Sequence, residues 1–228
     1  MAILGISSAT KILSVGICEN SNTLAELIVS GKESFTEDLI VYIEKLIEQA
    51  KVKITGIAVA SGPGSYNGLR GGMATAKTLA QIFAVPIAQV STLEAIAFNL
   101  INVNGTILSL SDARRDEYNI ALFASYQNNL KRITNDLLMK LEDIKKLLSK
   151  IKGEIYVCSC NEEIQSLFIA KNIRFAIQNF SIPRGSNVAI IGEKLIKEGK
   201  DSNLMKLTPN YSVEPNIREF KKGVNDRG

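Results

Sequence analysis

Residues 54–84 constrain the fold of this chain more than any other stretch. A β-branched run, Ile54 to Ala60, leads straight into Ser61-Gly62-Pro63-Gly64-Ser65-Tyr66-Asn67-Gly68-Leu69-Arg70-Gly71-Gly72, and a helix of small residues follows to Ala84. A buried strand that turns through glycines directly into a helix is an α/β unit. Such a loop offers backbone amides and the positive end of a helix to an anion, with Gly62, Gly64, Ser65, Gly68 and Arg70 as the candidate contacts. It is not a P-loop, because no Gly-Lys-Ser/Thr follows, and its glycines are spaced one residue too long for the dinucleotide fingerprint. The other reading is structural: glycines supply positive φ and close backbone approach in a tight turn. Spacing alone leaves both readings open.

The segments around this unit define its order. Ala2 to Ser8, Ile12 to Cys18 and Leu24 to Val29 read as an antiparallel meander with a polar turn at Glu19 to Asn22. Ser34 and Glu37 have capping-box spacing before a helix over Phe35 to Ala50, with Leu39, Ile43, Leu46 and Ala50 at helical intervals. After the small-residue helix come a short strand, Val85 to Val90, and a helix capped by Ser91 with Glu94. The second half repeats the order: strands at Thr106 to Ser111, Tyr118 to Ala124 and Leu130 to Ile133, a helix over Leu141 to Lys150, a strand at Glu154 to Ser159, and helices near Asn161 to Ala170 and Ser186 to Glu198. Two βββαβα lobes follow, 1–102 and 103–228, the second ending in a tail. Linker-like composition is confined to Asn102 to Gly105, so the lobes are expected to pack together. Ile6 to Thr10 and Leu110 to Arg114 then occupy equivalent turns flanking a central cleft, with Asp112 as its one remaining carboxylate. The favoured reading of Asp112 is nonetheless a turn residue capping its own backbone.

Composition removes whole classes of chemistry. There is no histidine among the 228 residues, which excludes Ser-His-Asp and Cys-His nucleophiles and any histidine-held zinc or iron. Catalysis would have to run on carboxylates, lysine, hydroxyls, backbone amides or magnesium. No protein-held metal site is expected. Cys18, Cys158 and Cys160 cannot all pair and read as thiols in a reducing compartment. The longest apolar stretch, Met73 to Val90, is broken by Lys77, Gln81 and Pro86, and no signal-peptide pattern opens the chain; a cytoplasmic protein away from membranes is expected. The net charge of +4 owes part of its value to Arg218 to Lys222, a solvated tail. Direct nucleic-acid contact through Arg114, Arg115, Arg132 and the tail lysines would be a weak contribution at most.

Two helices carry more apolar surface than one core face needs. In the first, Ile40, Val41, Tyr42 and Ile47 add to the stripe; in the second, Gly71, Gly72, Ala74, Ala76, Ala80 and Ala84 leave a backbone that another helix could approach closely. Burial within the chain and a partner interface both satisfy this pattern.

The run from Ser61 to Gly72, in which Gly62, Gly64, Ser65, Tyr66, Gly68 and Arg70 fill a Gly-Pro-Gly-Ser-aromatic-x-Gly-x-Arg pattern, resembles the TsaB (YeaZ) family. Val90-Ser91-Thr92-Leu93, Ile3 to Thr10 and Ser111 to Arg114 support the resemblance, which is dense over residues 1–95. It implies two tandem actin-like (RNase H-like, ASKHA superfamily) lobes and a paralogue of the TsaD transferase. The implied role is that of a non-catalytic subunit, with no catalytic residues and no cofactor of its own, in making the threonylcarbamoyladenosine of tRNAs that read ANN codons. ATP and magnesium would sit on partner subunits. TsaD would be the main partner and TsaE would join the larger complex; tRNA would be reached only indirectly, and the isolated chain would form a homodimer. The family pairs with TsaD through its first two helices, which assigns partner contacts to Leu39, Ile40, Ile43, Ile47, Leu69, Met73, Ala76 and Ala80. The sequence departs from the family at Ser7-Ser8-Ala9-Thr10, where Asp-Thr-Ala-Thr is usual, at Phe35, near a common histidine, and at Tyr211-Ser212-Val213, which lacks an arginine. The loss of the carboxylate at Ser7 turns the glycine loop from a phosphate site toward an inherited turn. A competing expectation is an active nucleotide-dependent phosphotransferase or ATPase of the same superfamily, with Asp112 serving magnesium or base duty.

Overall fold

The computed structural model describes residues 1–30, 38–114, 116–159, 164, 167–168 and 170–211. Two mixed sheets carry the fold. In the first, β1 (Ala2–Ser7), β2 (Ile12–Glu19) and β3 (Asn22–Ser30) form an antiparallel meander, and β4 (Gly56–Gly62) and β5 (Ile87–Ser91) extend it in parallel, giving the order β3-β2-β1-β4-β5. In the second, β6 (Gly105–Arg114), β7 (Glu117–Tyr126) and β8 (Asn129–Arg132) repeat the meander, β10 (Ile155–Ser159) and β11 (Ile173–Phe175) repeat the parallel half, and β9 (Leu137–Lys140) also pairs with β7. Strands up to Ser91 build the first sheet and strands from Gly105 the second, and the two sheets share one strand order.

β1 and β4 are buried at every position, the pattern of strands covered on both faces. On one face lie α1 (Leu39–Ala50) and α2 (Tyr66–Phe83), which close a core of Leu4, Ile6, Val15, Ile57 and Val59 with Ile43, Met73 and Ala76. On the other lies α5 (Gly185–Lys197), which comes from the far end of the chain and packs on β1, β2, β4 and β5. Glycines make that approach possible: a Cβ on Gly5 would overlap the Gly185 carbonyl, one on Gly16 the Ser186 amide, and one on Gly192 the Ala58 side chain. The amino end of α5 is held by Glu26 of β3, whose carboxylate accepts from the Ser186 amide at 3.0 Å and hydroxyl at 2.7 Å and from the Arg184 guanidinium. Residues 103–228 therefore contribute a covering helix to the first sheet as well as building the second.

α3 (Thr92–Ala97) is the element between the sheets. Its Leu93, Ile96 and Ala97 pack against Ile107, Ala121 and Phe123 of the second sheet, whose opposite face is covered by α4 (Leu141–Leu148).

Several boundaries differ from the sequence reading. The expected turn at Ser111 to Arg114 is strand: Asp112 pairs with Tyr118, a bulge follows before Arg114, and the reversal falls beside Asp116, at φ 59°. Asp112 is a strand residue of β6. The single strand expected at Leu130 to Ile133 is the first of two segments on the same edge, β8 and β9, separated by a kink where the Leu122 amide turns to the Thr134 hydroxyl at 3.0 Å. α1 is observed from Leu39, with Asp38 at its N-cap; the Ser34–Glu37 box and Phe35 lie outside the described residues, as do Cys160 and most of Asn161 to Ala170, Arg115, Ser212 and the Arg218 to Lys222 tail.

Candidate functional site

The glycine loop sits at the carboxyl end of β4, beside the turn that ends β1, and the two are packed backbone to backbone. A Cβ on Gly64 would overlap the Ala9 carbonyl and one on Gly68 the Ser8 carbonyl. The Ser65 amide donates to the Ala9 carbonyl at 2.7 Å, and the Ser8 hydroxyl donates to the Gly68 carbonyl at 2.8 Å. Ser65 caps α2, its hydroxyl accepting from the Gly68 amide at 3.5 Å, and the Leu69 amide donates to the Ser65 carbonyl at 2.8 Å. Gly62, at φ 123°, needs to be glycine on two counts, because a side chain there would also overlap the Asn210 carbonyl. The Asn210 amide in turn donates to the Ser61 carbonyl at 2.6 Å. Of the loop amides a phosphate would seek, those of Ser65, Gly68 and Leu69 are engaged within the chain.

Asn210 belongs to a strap, residues 200–211, that runs back over the first lobe. The Ser202 amide donates to the Ile87 carbonyl at 2.7 Å, Gln89 Nε2 to the Thr208 carbonyl at 3.1 Å, and Lys77 Nζ to the Leu207 carbonyl at 3.4 Å, while the Leu207 side chain is buried. The strap thereby covers the β5 edge of the sheet. Tyr211 then rests on Tyr66, ring centroids 5.1 Å apart, and Arg70 donates to the Tyr66 hydroxyl at 3.0 Å. Arg70, a candidate phosphate contact by sequence, is turned to an aromatic pair.

Between the lobes the polar residues that meet lie outside the glycine loop. Ser91 Oγ, at the N-cap of α3, donates to both oxygens of Asp136 at 3.1 and 2.9 Å and accepts from the Glu94 amide at 3.3 Å. Arg132 donates to Asp136 at 2.7 Å and to Glu94 at 2.9 Å and stacks over Phe123 at 4.7 Å. Burial would ease the proton off Arg132, but the two carboxylates outweigh it and hold the guanidinium more firmly charged than usual. The Glu94 side chain thus reaches Arg132 across the lobes, and Arg132, a candidate nucleic-acid contact by sequence, is occupied inside the protein. Asp112 lies on β6 beside Tyr118, whose hydroxyl is pushed up by burial and by the charges of Asp112 and Asp116. Among the described residues no group of three or more acidic or cysteine side chains is placed to hold a metal.

Of the eight residues assigned to a partner surface, Leu39, Ile43, Leu69, Met73, Ala76 and Ala80 are buried in the chain's own core. They form the inward stripes of α1 and α2, and the sheet already covers them. Ile47 is half-buried and Ile40 is 51% exposed. The apolar excess on these helices lies elsewhere: Val41 on α1, Ile82 and Phe83 at the end of α2, with Ile82 69% exposed. The signal for these positions was present in the sequence, as apolar residues off the i, i+3, i+4 stripe.

Comparison with known proteins agrees with this architecture. The family model described as TsaD, tRNA N6-adenosine threonylcarbamoyltransferase, matches residues 23–220. The chain is 28% identical over 220 residues to the tRNA threonylcarbamoyladenosine biosynthesis protein TsaB of Bacillus subtilis (strain 168), covering 92% of this chain and 93% of that one. Among solved structures, YeaZ from Pseudomonas aeruginosa superposes with a TM-score of 0.77 at 15% identity, over 92% of this chain and 99% of that one. A ROK family protein from Streptococcus pneumoniae TIGR4 superposes with a TM-score of 0.50 at 10% identity, over 88% and 100% of the two chains, which places the twin-sheet fold among the actin-like and sugar-kinase folds. With two actin-like lobes and a family match over most of its length, the chain belongs to the TsaD-type threonylcarbamoyltransferase family, on the branch of the TsaB (YeaZ) proteins.

Proposed function

We propose that this chain serves threonylcarbamoyladenosine biosynthesis on tRNA as a non-catalytic scaffold subunit that binds a TsaD-type transferase. The observation that carries the reading is the filled glycine loop: Ser8, Ala9 and Asn210 occupy with backbone the space beside Gly62, Gly64 and Gly68. A subunit that works through surfaces has no use for an open phosphate cradle. The exposed Ile40, Val41, Ile82 and Phe83 supply the apolar side chains a helical partner would bury. In this reading ATP and magnesium belong to the partner subunits, TsaE joins the larger complex, tRNA is contacted through the assembly, and two copies pair through the same helices when TsaD is absent, all in the cytoplasm.

The test is reconstitution. TsaD, TsaE, threonylcarbamoyl-adenylate, ATP and tRNA are incubated with and without this chain, and modified tRNA is counted; equal yields overturn the proposal. The competing phosphotransferase or ATPase reading needs nucleotide on the amides of residues 62–68 and Asp112 in attendance. Calorimetry with magnesium and ATP on the isolated chain decides it, tight binding with turnover favouring the enzyme.

A further inference from the structure

We infer that the two lobes are held in one fixed orientation by an interlobe latch, formed by Ser91 and Glu94 of the first lobe with Arg132 and Asp136 of the second. The two sheets meet on α3, and sheets that met only through a single helix could rotate about it as a pivot. The contacts at the amino end of α3 remove that freedom. Asp136 is gripped on one side by the Ser91 hydroxyl, at 2.9 and 3.1 Å, and on the other by Arg132 at 2.7 Å. Arg132 reaches past it to Glu94 at 2.9 Å, and its guanidinium carbon sits over the Phe123 ring, 4.7 Å from the ring centre, so its own position is fixed by the second sheet.

The burial of the cluster separates it from an ordinary surface ion pair. The side chains of Asp136, Arg132 and Glu94 are 15%, 27% and 32% exposed. Such charges are screened little, and each leaves the others under-satisfied if withdrawn. At the other end of α3, Asn187 of α5 donates to the Ala95 carbonyl at 3.0 Å and to Asn99 Oδ1 at 2.8 Å, and Asn99 Nδ2 donates to the Ile182 carbonyl at 2.8 Å. α3 is therefore clamped at both ends around its apolar middle. The orientation of the lobes is built into the folded chain and needs no ligand between them. This inference does not depend on the scaffold reading, since it concerns the isolated chain.

The experiment measures the distance between the lobes. Spin labels are placed at Glu48→Cys on α1 and Lys146→Cys on α4, in the full chain with Cys160→Ser, and read by double electron–electron resonance. The native latch gives one narrow distance distribution that magnesium and ATP leave unchanged. Arg132→Gln and, separately, Asp136→Asn add a second, longer population. Ser91→Ala, which removes one arm and no charge, broadens the distribution and serves if the charge variants do not fold. A broad or two-peaked distribution in the native chain, a shift on adding magnesium and ATP, or native-like distributions in all variants overturns the latch.

Discussion

The Ser8 hydroxyl donates to the Gly68 carbonyl at 2.8 Å, tying the turn after β1 to the first turn of α2 across sixty residues of sequence. The same oxygen lies where a Cβ on Gly72 would have to go. Ser8 and the glycines are one packing unit, and that unit sets the angle at which α2 leaves the sheet.

Gly72→Ala should lower stability by about 1–3 kcal/mol, the range for overpacking a closed contact, less what alanine gains over glycine in a helix. In a Ser8→Ala background the same change should cost clearly less, because the obstructing oxygen is gone. Urea midpoints of the four proteins in the cycle check this; additive effects would mean the two residues do not meet.

Ile40→Asp combined with Ile82→Asp should abolish co-elution with TsaD while moving the thermal midpoint little, as both side chains face outward. Ile43→Asp, by contrast, should lose the folded state, because it places a carboxylate inside the core of the first lobe. Retained co-elution in the double variant would move the interface away from these faces.

Ala84→Gly should stabilise the chain by about 0.5–1 kcal/mol. Ala84 closes α2 at φ 52° and ψ 49°, a left-handed conformation that costs a residue with Cβ about 1–2 kcal/mol, partly offset by the entropy glycine loses on folding. Its amide donates to the Ala80 and Gln81 carbonyls, a bond pattern glycine keeps. The shift in thermal midpoint is the readout.

Glu26→Ala should be among the costliest single changes at a polar residue. It would strip the amino end of α5 of its acceptor and leave Arg184 and Ser186 facing each other. Breaking a fully buried pair costs about 3–5 kcal/mol, and less is expected here because the Arg184 side chain is 37% exposed. Chemical denaturation measures it directly.

The Cys18 thiol is pushed up to about 11, chiefly by burial and further by the charges of Glu26 and Glu193, against a lowering hydrogen bond from Thr23. A raised acid is held neutral in the fold, so its share of stability is full below the ordinary value of 9.0 and is lost as pH rises toward 11. Cys18→Ala should flatten that alkaline loss. In the native chain the thiol should resist maleimide at pH 7.5 and react once the chain is unfolded.

The sequence settled what is local or repeats along the chain. The meander Ala2 to Val29, the strand–glycine–helix unit and the Ser91 cap were legible because period, propensity and turn chemistry act over a few residues. The second lobe was legible as an order of elements, but β9 and β11 are short and take their hydrogen bonds from distant partners, so no local pattern announces them. Charges along the chain offered Arg132 as a weak nucleic-acid contact, because nothing near it in sequence shows that Glu94 will stand 2.9 Å away.

The sequence also decided by itself what chemistry is closed to this protein, since a chain without histidine lacks it in any fold. What it left open about the glycine loop turned on residues far apart in number. Gly62 can be read as cradle or as turn until Asn210 is brought against it, and Gly68 until the Ser8 carbonyl is. Likewise, apolar helices look alike whether they face a partner or a sheet, and only packing separated Ile43, inside, from Ile40 and Ile82, outside. Local sequence determines which elements form. The long-range contacts that fill or leave open the space between them decide what those elements can bind.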